Sequence, residues 1–410
     1  MRSFSQLILT LSTTLLFALA ACAPQPVSNS NNAATSNHNV YVPSAPSNVN
    51  AGLPLKTRQV KVALLVPMTG RFADLGRAMQ DAASLALYDK YAVLSPKQAA
   101  TKVEILPIDT GDTPESARAA AQAAVAQGAE LILGPIFADA VMAASPVASK
   151  AGIQMISFSN NATVARPGTY IFGFAPDAQT DRVVSFALSQ KFRVAAIVPN
   201  NPLGQQVLGV AKARASSLGA SIAPIATYLP QGLGVEQAAD VIVKPAPVQE
   251  GQPPAKAFDA LFIPDVGAPL NTVLQALASR GISAVNTQLL GTGLWDDSVV
   301  AREHNLENAL LASSSPELTQ SFTARFRNAY NYVPPRIASL SYDAVALAVT
   351  LATSDRTFDA GTLTSPGGFS GPANGIFRFK QNGSSERGLA VLRIKGGQFQ
   401  VVSPAPNMFR

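Results

Sequence analysis

One cysteine, two histidines and one tryptophan stand in 410 residues, and only 14% of the chain is charged. The single cysteine, Cys22, excludes a disulfide framework. His38 and His304 are too few and too far apart for a metal centre built on imidazole and thiolate. A Ser–His–Asp arrangement would have to use His304, which stands alone on a polar stretch, and no G-x-S-x-G elbow is present. There is no Walker A sequence and no G-x-G-x-x-G after a strand. Asp109 and Asp112 read as solvated acids at a strand end rather than as a catalytic pair. No catalytic residue, no metal and no cofactor is therefore expected. Aromatics at 7% argue against a base-stacking platform. The net charge of +6 is scattered rather than gathered in a stripe, so nucleic acid is not an expected partner. What is abundant is apolar, 47% of the chain, enough for large buried cores and two domains.

Arg2 supplies a positive start, and Leu7 to Leu19 an apolar stretch too short to remain in a bilayer as a helix. Leu19-Ala20-Ala21-Cys22 then resembles the lipobox of bacterial lipoproteins. The resemblance implies a signal peptide over 1–21, cleavage after Ala21 and acylation of Cys22. Ala23, rather than Asp, follows the cysteine, which in lipoproteins is compatible with export to the outer membrane. Residues 22–57 read as a disordered tether of Pro, Ser, Asn and Ala, with no charged residue before Lys56. Such a segment has an r.m.s. span of roughly 30–35 Å. The body is expected at the periplasmic face, touching the membrane only through its lipid anchor.

The body opens on Val60 to Ala86. Val60 to Val66 is an apolar run with the look of a buried parallel strand, and Pro67 and Gly70 stop it. Asp74 is the expected N-cap of a helix whose Leu75, Ala78, Met79, Ala82 and Ala86 share one face. Strand–helix alternation continues. Strands are expected over 102–108, 130–133, 154–158 and 170–174, with Thr113 capping a helix that begins at Pro114. A second set follows from Pro176, with strands over 194–198, 221–227, 258–263 and 288–290, a break near 172–177 and a Pro-rich insert over 244–254. Past Ala309, helices are expected over 316–331 and 337–352, then strands over 375–379, 389–394 and 399–402 as an antiparallel appendix. The fold class is α/β, with right-handed crossovers and mostly parallel sheets.

Several segments resemble the leucine-binding branch of the type I periplasmic-binding-protein family, in order from about Arg58 to Lys395. They are VALLVPMTGRFADLGRAMQDAASLAL, GPIFADAVMAASPVASKAGIQMISFSNNA, VAAIVPNNPLGQQVLGVAKARASSLGA, FDALFIPDVGAPLNTVLQALASRGI and SYDAVALA. The resemblance implies a two-lobed fold, each lobe a doubly wound, mostly parallel sheet flanked by helices. Lobe one would be 58–175 plus 312–353, and lobe two 177–311 plus 356–402. A small polar, amino-acid-like ligand would lie between the lobes at the carboxyl ends of the strands. The residues that would line that cleft are Thr69, Arg71, Phe72, Phe137, Asp139, Ser159, Asn160, Asn161, Asn200, Asp265, Trp295 and Asp296. Trp295 fits either a cleft wall or packing beneath one.

Two departures stand out. Amino-acid binders of the family carry hydroxyls on both lobe-one loops, but Phe137-Ala138-Asp139 has none; Ser159-Asn160-Asn161 still offers donors. The acid for the ligand's ammonium would fall near Thr292-Gly293-Leu294, whereas the carboxylates are Asp296 and Asp297. The lipobox, tether and VPMTGRFADLGRAM opening are also similar to lipoproteins that activate penicillin-binding proteins in peptidoglycan synthesis. The first expectation is thus a lipid-anchored solute-binding protein that could serve an ABC permease. The alternative is an outer-membrane activator of a cell-wall synthase, its cleft vestigial or regulatory.

Overall fold

The sequence alternates badly in β1 (Arg58–Val66) because both faces of that strand are buried. Val60, Val62, Leu64 and Val66 enter one core, while Ala63 and Leu65 enter another. A central parallel strand is expected to read this way. This computed structural model describes residues 57–244 and 256–409. The leader 1–21, the lipid-attachment residue Cys22, the tether to residue 56 and residues 245–255 of the Pro-rich insert lie outside the described residues.

Beside β1 run β2 (Thr101–Asp109), β3 (Leu131–Leu133), β4 (Gln154–Ser157) and β5 (Thr169–Ile171), in the order β2-β1-β3-β4-β5. All four pairings are parallel. The Ala-rich helices Pro114–Ala126 and Ala138–Lys150 cover one face with small residues, among them Ala120, Ala124, Ala144 and Ala148. Thr113 caps the first of these, accepting the Ser116 N–H at 3.1 Å. The helix Ala73–Tyr91 covers the other face together with Pro316–Tyr330 and the almost wholly buried Ala338–Thr353. Asp74 is not the N-cap. A 3₁₀ turn over Gly70–Phe72 feeds straight into the helix, so Phe72 occupies the cap position and Asp74 the first turn, paired with Arg77.

The second sheet holds β6 (Val194–Pro199), β7 (Ile222–Tyr228), β8 (Ala260–Phe262), β9 (Gln288–Leu290) and β10 (Leu310–Ser313), all parallel. Its faces divide as in the first sheet. Ala195 and Ile197 meet the helices Val235–Ile242 and Gly267–Ala278, and Val194, Ala196 and Val198 meet Pro176–Ser189 and Pro202–Ser217.

The expected antiparallel appendix is two separate structures. β11 (Phe369–Gly371), β12 (Gly375–Phe379) and β13 (Ser385–Arg387) make a small sheet of their own. β14 (Ala390–Lys395) and β15 (Gln398–Ser403) extend the second sheet antiparallel from β10, giving β15-β14-β10-β9-β8-β6-β7. This corrects part of the expected lobe boundary. Phe358, Leu363, Ala373, Phe377 and Phe379 belong to the first lobe's core, with Phe377 edge-on to Phe172 at 4.6 Å. The chain therefore returns to the second lobe at Gly388–Leu389, not near residue 356. It passes between lobes at Phe172–Ala175, Ser314–Ser315 and Gly388–Leu389. No helix among the described residues is long and apolar enough to cross a membrane.

Candidate functional site

In an open parallel sheet, a crevice forms where the strand order reverses, outside the carboxyl ends of the strands. Here the reversals lie between β1 and β3 in the first sheet and between β6 and β8 in the second. The loops leaving those four strands carry most of the residues singled out from the sequence.

On the first lobe, Phe72 after β1 and Phe137 after β3 meet across the reversal, ring centroids 4.5 Å apart. The Arg71 guanidinium lies over the Phe72 ring at 4.6 Å. Thr69 donates its hydroxyl to Asp109 Oδ2 at 2.5 Å, and Asp109 Oδ1 accepts the Met68 N–H at 2.7 Å and the Gly111 N–H at 2.8 Å. Burial pulls the Asp109 carboxyl up, but these hydrogen bonds outweigh it and hold the group below its ordinary range. Asp112 accepts the Arg71 N–H at 3.0 Å. Gly70, at φ +77°, is needed there, since a Cβ would stand 2.2 Å from the Asp112 carboxylate. Asp109 and Asp112 are thus the clamps of the Thr69–Phe72 turn rather than free loop acids. Asp139, next to Phe137 in the first turn of its helix, is exposed.

After β4, Ser159 is buried and accepts the Asn161 N–H at 3.2 Å. Asn161 Oδ1 caps a 3₁₀ turn, accepting the Thr163 N–H at 2.9 Å and its hydroxyl at 2.7 Å. Asn160 is exposed between them.

On the second lobe, Asn200 after β6 and Asp265 after β8 are joined through a residue the sequence reading missed. Tyr228, the last of β7, accepts the Asn200 N–H on its carbonyl at 2.6 Å and donates its hydroxyl to Asp265 at 2.5 Å. Burial and then the Asp265 hydrogen bond push the phenol far above its ordinary range, so it remains a donor. A tyrosine closing a strand beside the reversal was the available signal. Trp295 is not a cleft wall. It is fully buried in the second lobe's core and donates its indole N–H to the Asp265 carbonyl at 2.8 Å.

Asp296 stands apart from both groups. It accepts the Ser313 hydroxyl and the Arg336 guanidinium, the latter at 3.2 Å, tying the loop after β9 to the start of the helix that completes the first lobe. It lines a cavity of about 260 Å³ with Ser298, Phe322, Pro335, Arg336 and Phe399. The candidate residues thus form a first-lobe group, a second-lobe group and a link near the crossovers.

The wider comparisons agree with this architecture. The periplasmic binding protein family matches residues 59–398. A curated relative, an uncharacterized protein of Rickettsia prowazekii (strain Madrid E), is 25% identical over 150 residues, 37% of this chain and 38% of its own length. Among solved structures, one assigned to a branched-chain amino acid ABC transporter of Rhodospirillum rubrum superimposes with a TM-score of 0.73 at 20% identity, covering 84% of this chain and all of that one. An ABC transporter substrate-binding protein of Desulfitobacterium hafniense in complex with Leu gives 0.62 at 19% identity, over 84% of this chain and 100% of that one. A solute-binding protein of Rhodopseudomonas palustris BisB5 in complex with 3,4-dihydroxybenzoic acid gives 0.60 at 18%, over 86% and 97%. The chain belongs to the periplasmic binding protein family.

Proposed function

We propose that this chain is a lipid-anchored solute receptor that closes its two lobes on a small organic acid and performs no chemistry on it. The observation that carries the reading is the gathering of side chains at both sheet reversals: Arg71, Phe72 and Phe137 on one lobe, Asn200, Tyr228 and Asp265 on the other. Arg71 offers a cation, the paired rings offer an apolar face, and Tyr228 and Asp265 offer polar groups for orientation. The hydroxyl-free loop at Phe137-Ala138-Asp139 favours a flat or apolar acid over a simple amino acid. Relatives of the same fold bind leucine in one case and a dihydroxybenzoate in another, so both classes belong in a ligand screen. A permease that accepts the loaded protein is the partner this reading implies.

Calorimetry against amino acids, aromatic acids and muropeptides tests it. One class should bind, and Asn161→Ala should weaken that ligand by about 1–3 kcal/mol through lost polar contact. The same variant loses its turn cap, costing about 1 kcal/mol of stability, so affinity is compared at a temperature where both proteins are folded. Unchanged affinity places the ligand away from the Ser159–Asn161 loop.

Anchoring rests on Leu19-Ala20-Ala21-Cys22. Cys22→Ser should move the folded body from the membrane to the soluble fraction, and membrane retention of that variant would refute the lipid anchor. The second reading, activation of a cell-wall synthase from the outer membrane, is favoured by the same hydroxyl-free loop together with the tether. Co-purification with a synthase, with no ligand in the panel binding, would select it.

A further inference from the structure

Beyond its three crossovers, the chain reaches back to the first lobe once more. β15, at the edge of the second sheet, ends at Ser403, and residues 404–409 run on without helix or strand to the small sheet of β11, β12 and β13. Phe409 is seated there. The Arg378 guanidinium of β12 lies over its ring at 4.7 Å. Gly368, at φ +67°, leaves room for the ring, since a Cβ would stand 3.0 Å from Phe409 Cδ2. Arg378 is itself held in place, donating Nε to Glu386 at 2.5 Å and Nη1 to the Pro366 carbonyl at 3.2 Å. Phe377 and Phe379 root this small sheet in the first lobe's core.

The other end of the segment is clamped to the second lobe. Arg182, on the helix Pro176–Ser189, donates Nη2 to the Ser403 hydroxyl at 2.6 Å and to the Pro404 carbonyl at 3.3 Å. Its Nε donates to the Leu389 carbonyl at 2.9 Å, so the same guanidinium ties the segment's start to the third crossover. Ala405 packs against the second lobe's core. Pro404 and Pro406 fix φ on either side of it, which makes this stretch a stiff spacer rather than a slack one. Six residues reach at most about 20 Å when fully extended. Pro406 and Phe409 lie along an open groove of about 490 Å³, lined by Asp181 and Arg214 of the second lobe and by Ser385 and Glu386 of the first. The segment spans a place where the lobes leave space between them.

We propose that residues 404–409 are a strap that limits how far the lobes swing apart, with Phe409 as its release point. While Phe409 is seated, a stiff span fixed at both ends ties the small sheet to the edge of the second sheet, and rotation about the crossovers is short. When the ring leaves the socket of Gly368 and Arg378, the lobes gain a wider swing. The ring suits a catch because its hold is modest. Phe409 is half-buried, and a cation–π contact at an exposed site shifts such an equilibrium about two- to fivefold. The strap acts whichever solute the cleft takes.

The test uses the full chain with Cys22→Ser, which removes its one native thiol, and spin labels on Asp139→Cys and Leu233→Cys. Both positions are exposed, on the segments that follow β3 and β7 at the carboxyl ends of the two sheets. Pulsed dipolar spectroscopy reads the distances between the labels. Phe409→Ala, and a chain shortened to end at Ser403, should each raise the long-distance fraction about two- to fivefold, while Phe409→Tyr should match the parent. No shift in Phe409→Ala, or a shift toward shorter distances, would overturn the proposal. Phe409 ends a largely exposed segment, so this point variant gives the answer even if the shortened chain fails to fold.

Discussion

Trp295→Ala is expected to destabilise the protein by about 3–5 kcal/mol, the range for emptying a large aromatic site in a core that cannot collapse. The side chain has no solvent exposure and packs in the second lobe's core. The fit is close enough that a Cβ on Gly291 would stand 2.1 Å from the indole. Leu289, Leu306 and Leu311 share that core and are held by strands or short turns, so little can move in to fill the gap. The substitution also removes the donor to the Asp265 carbonyl, and with it the anchor of the loop that carries Asp265 to Tyr228. Trp295→Phe should recover much of the packing but not the hydrogen bond, leaving a deficit of about 1–2 kcal/mol. Urea unfolding followed by circular dichroism measures both. Because this is the chain's one tryptophan, fluorescence cannot follow the alanine variant. A loss below about 1 kcal/mol for alanine would return Trp295 to the role of a cleft wall.

Asp343→Ala should cost a similar amount, about 3–5 kcal/mol at pH 7, for an electrostatic reason. Asp343 is fully buried in the helix Ala338–Thr353. Its carboxylate accepts from Ala373 and Asn374 and faces the charges of Arg387 and Arg336. Alanine strips an acceptor from two buried donors and leaves those cations without their buried counter-charge. Burial already pushes the Arg387 guanidinium down to about 10. The same residue sets a pH dependence. Burial raises the Asp343 carboxyl to about 6, against the pull of its hydrogen bonds and the two arginines, while an unfolded Asp titrates near roughly 4. Between those values the folded protein holds a proton that the unfolded chain has released. Stability from this group is therefore greatest below about pH 4 and falls as pH rises through 6, by at most about 3 kcal/mol. Asp259, held down to about 2 chiefly by its hydrogen bond to Arg193, acts oppositely but in a more acidic window. Melting temperatures between pH 5 and 7 should decline in the native protein and decline less in Asp343→Asn. Identical slopes would show that Asp343 does not titrate there.

The parts of the fold legible from residues alone were those written in local period and punctuation. β1 shows as an unbroken apolar run, Thr113-Pro114 as a helix start, and the sheet reversals follow once strands and helices alternate. Loops at the strand ends could be listed for the same reason. What each loop residue does was less legible, because Asp109 and Asp112 take their roles from a turn about forty residues earlier. β11 and β13 span three residues each, too short for any period. Residues 358–379 join the first lobe through remote partners such as Phe172, which no local pattern announces. The interior charge cluster of buried Asp343 with half-buried Arg336 and Arg387 was invisible for a different reason. Charged side chains read as surface by default, and only tertiary context reverses that.

The interleaving of the lobes also fixes a timetable. All five strands of the first sheet are complete by Ile171, yet the face that the helix Ala73–Tyr91 covers in part stays incomplete until Phe322, the helix Ala338–Thr353 and Phe377 have been made. At usual rates of synthesis that is a delay of roughly 10–40 s. The first lobe begins first and cannot finish first. During that interval Val62, Leu64 and Val66 present a half-built apolar surface, and whatever shields a nascent chain must shield that surface until the last third of the protein arrives.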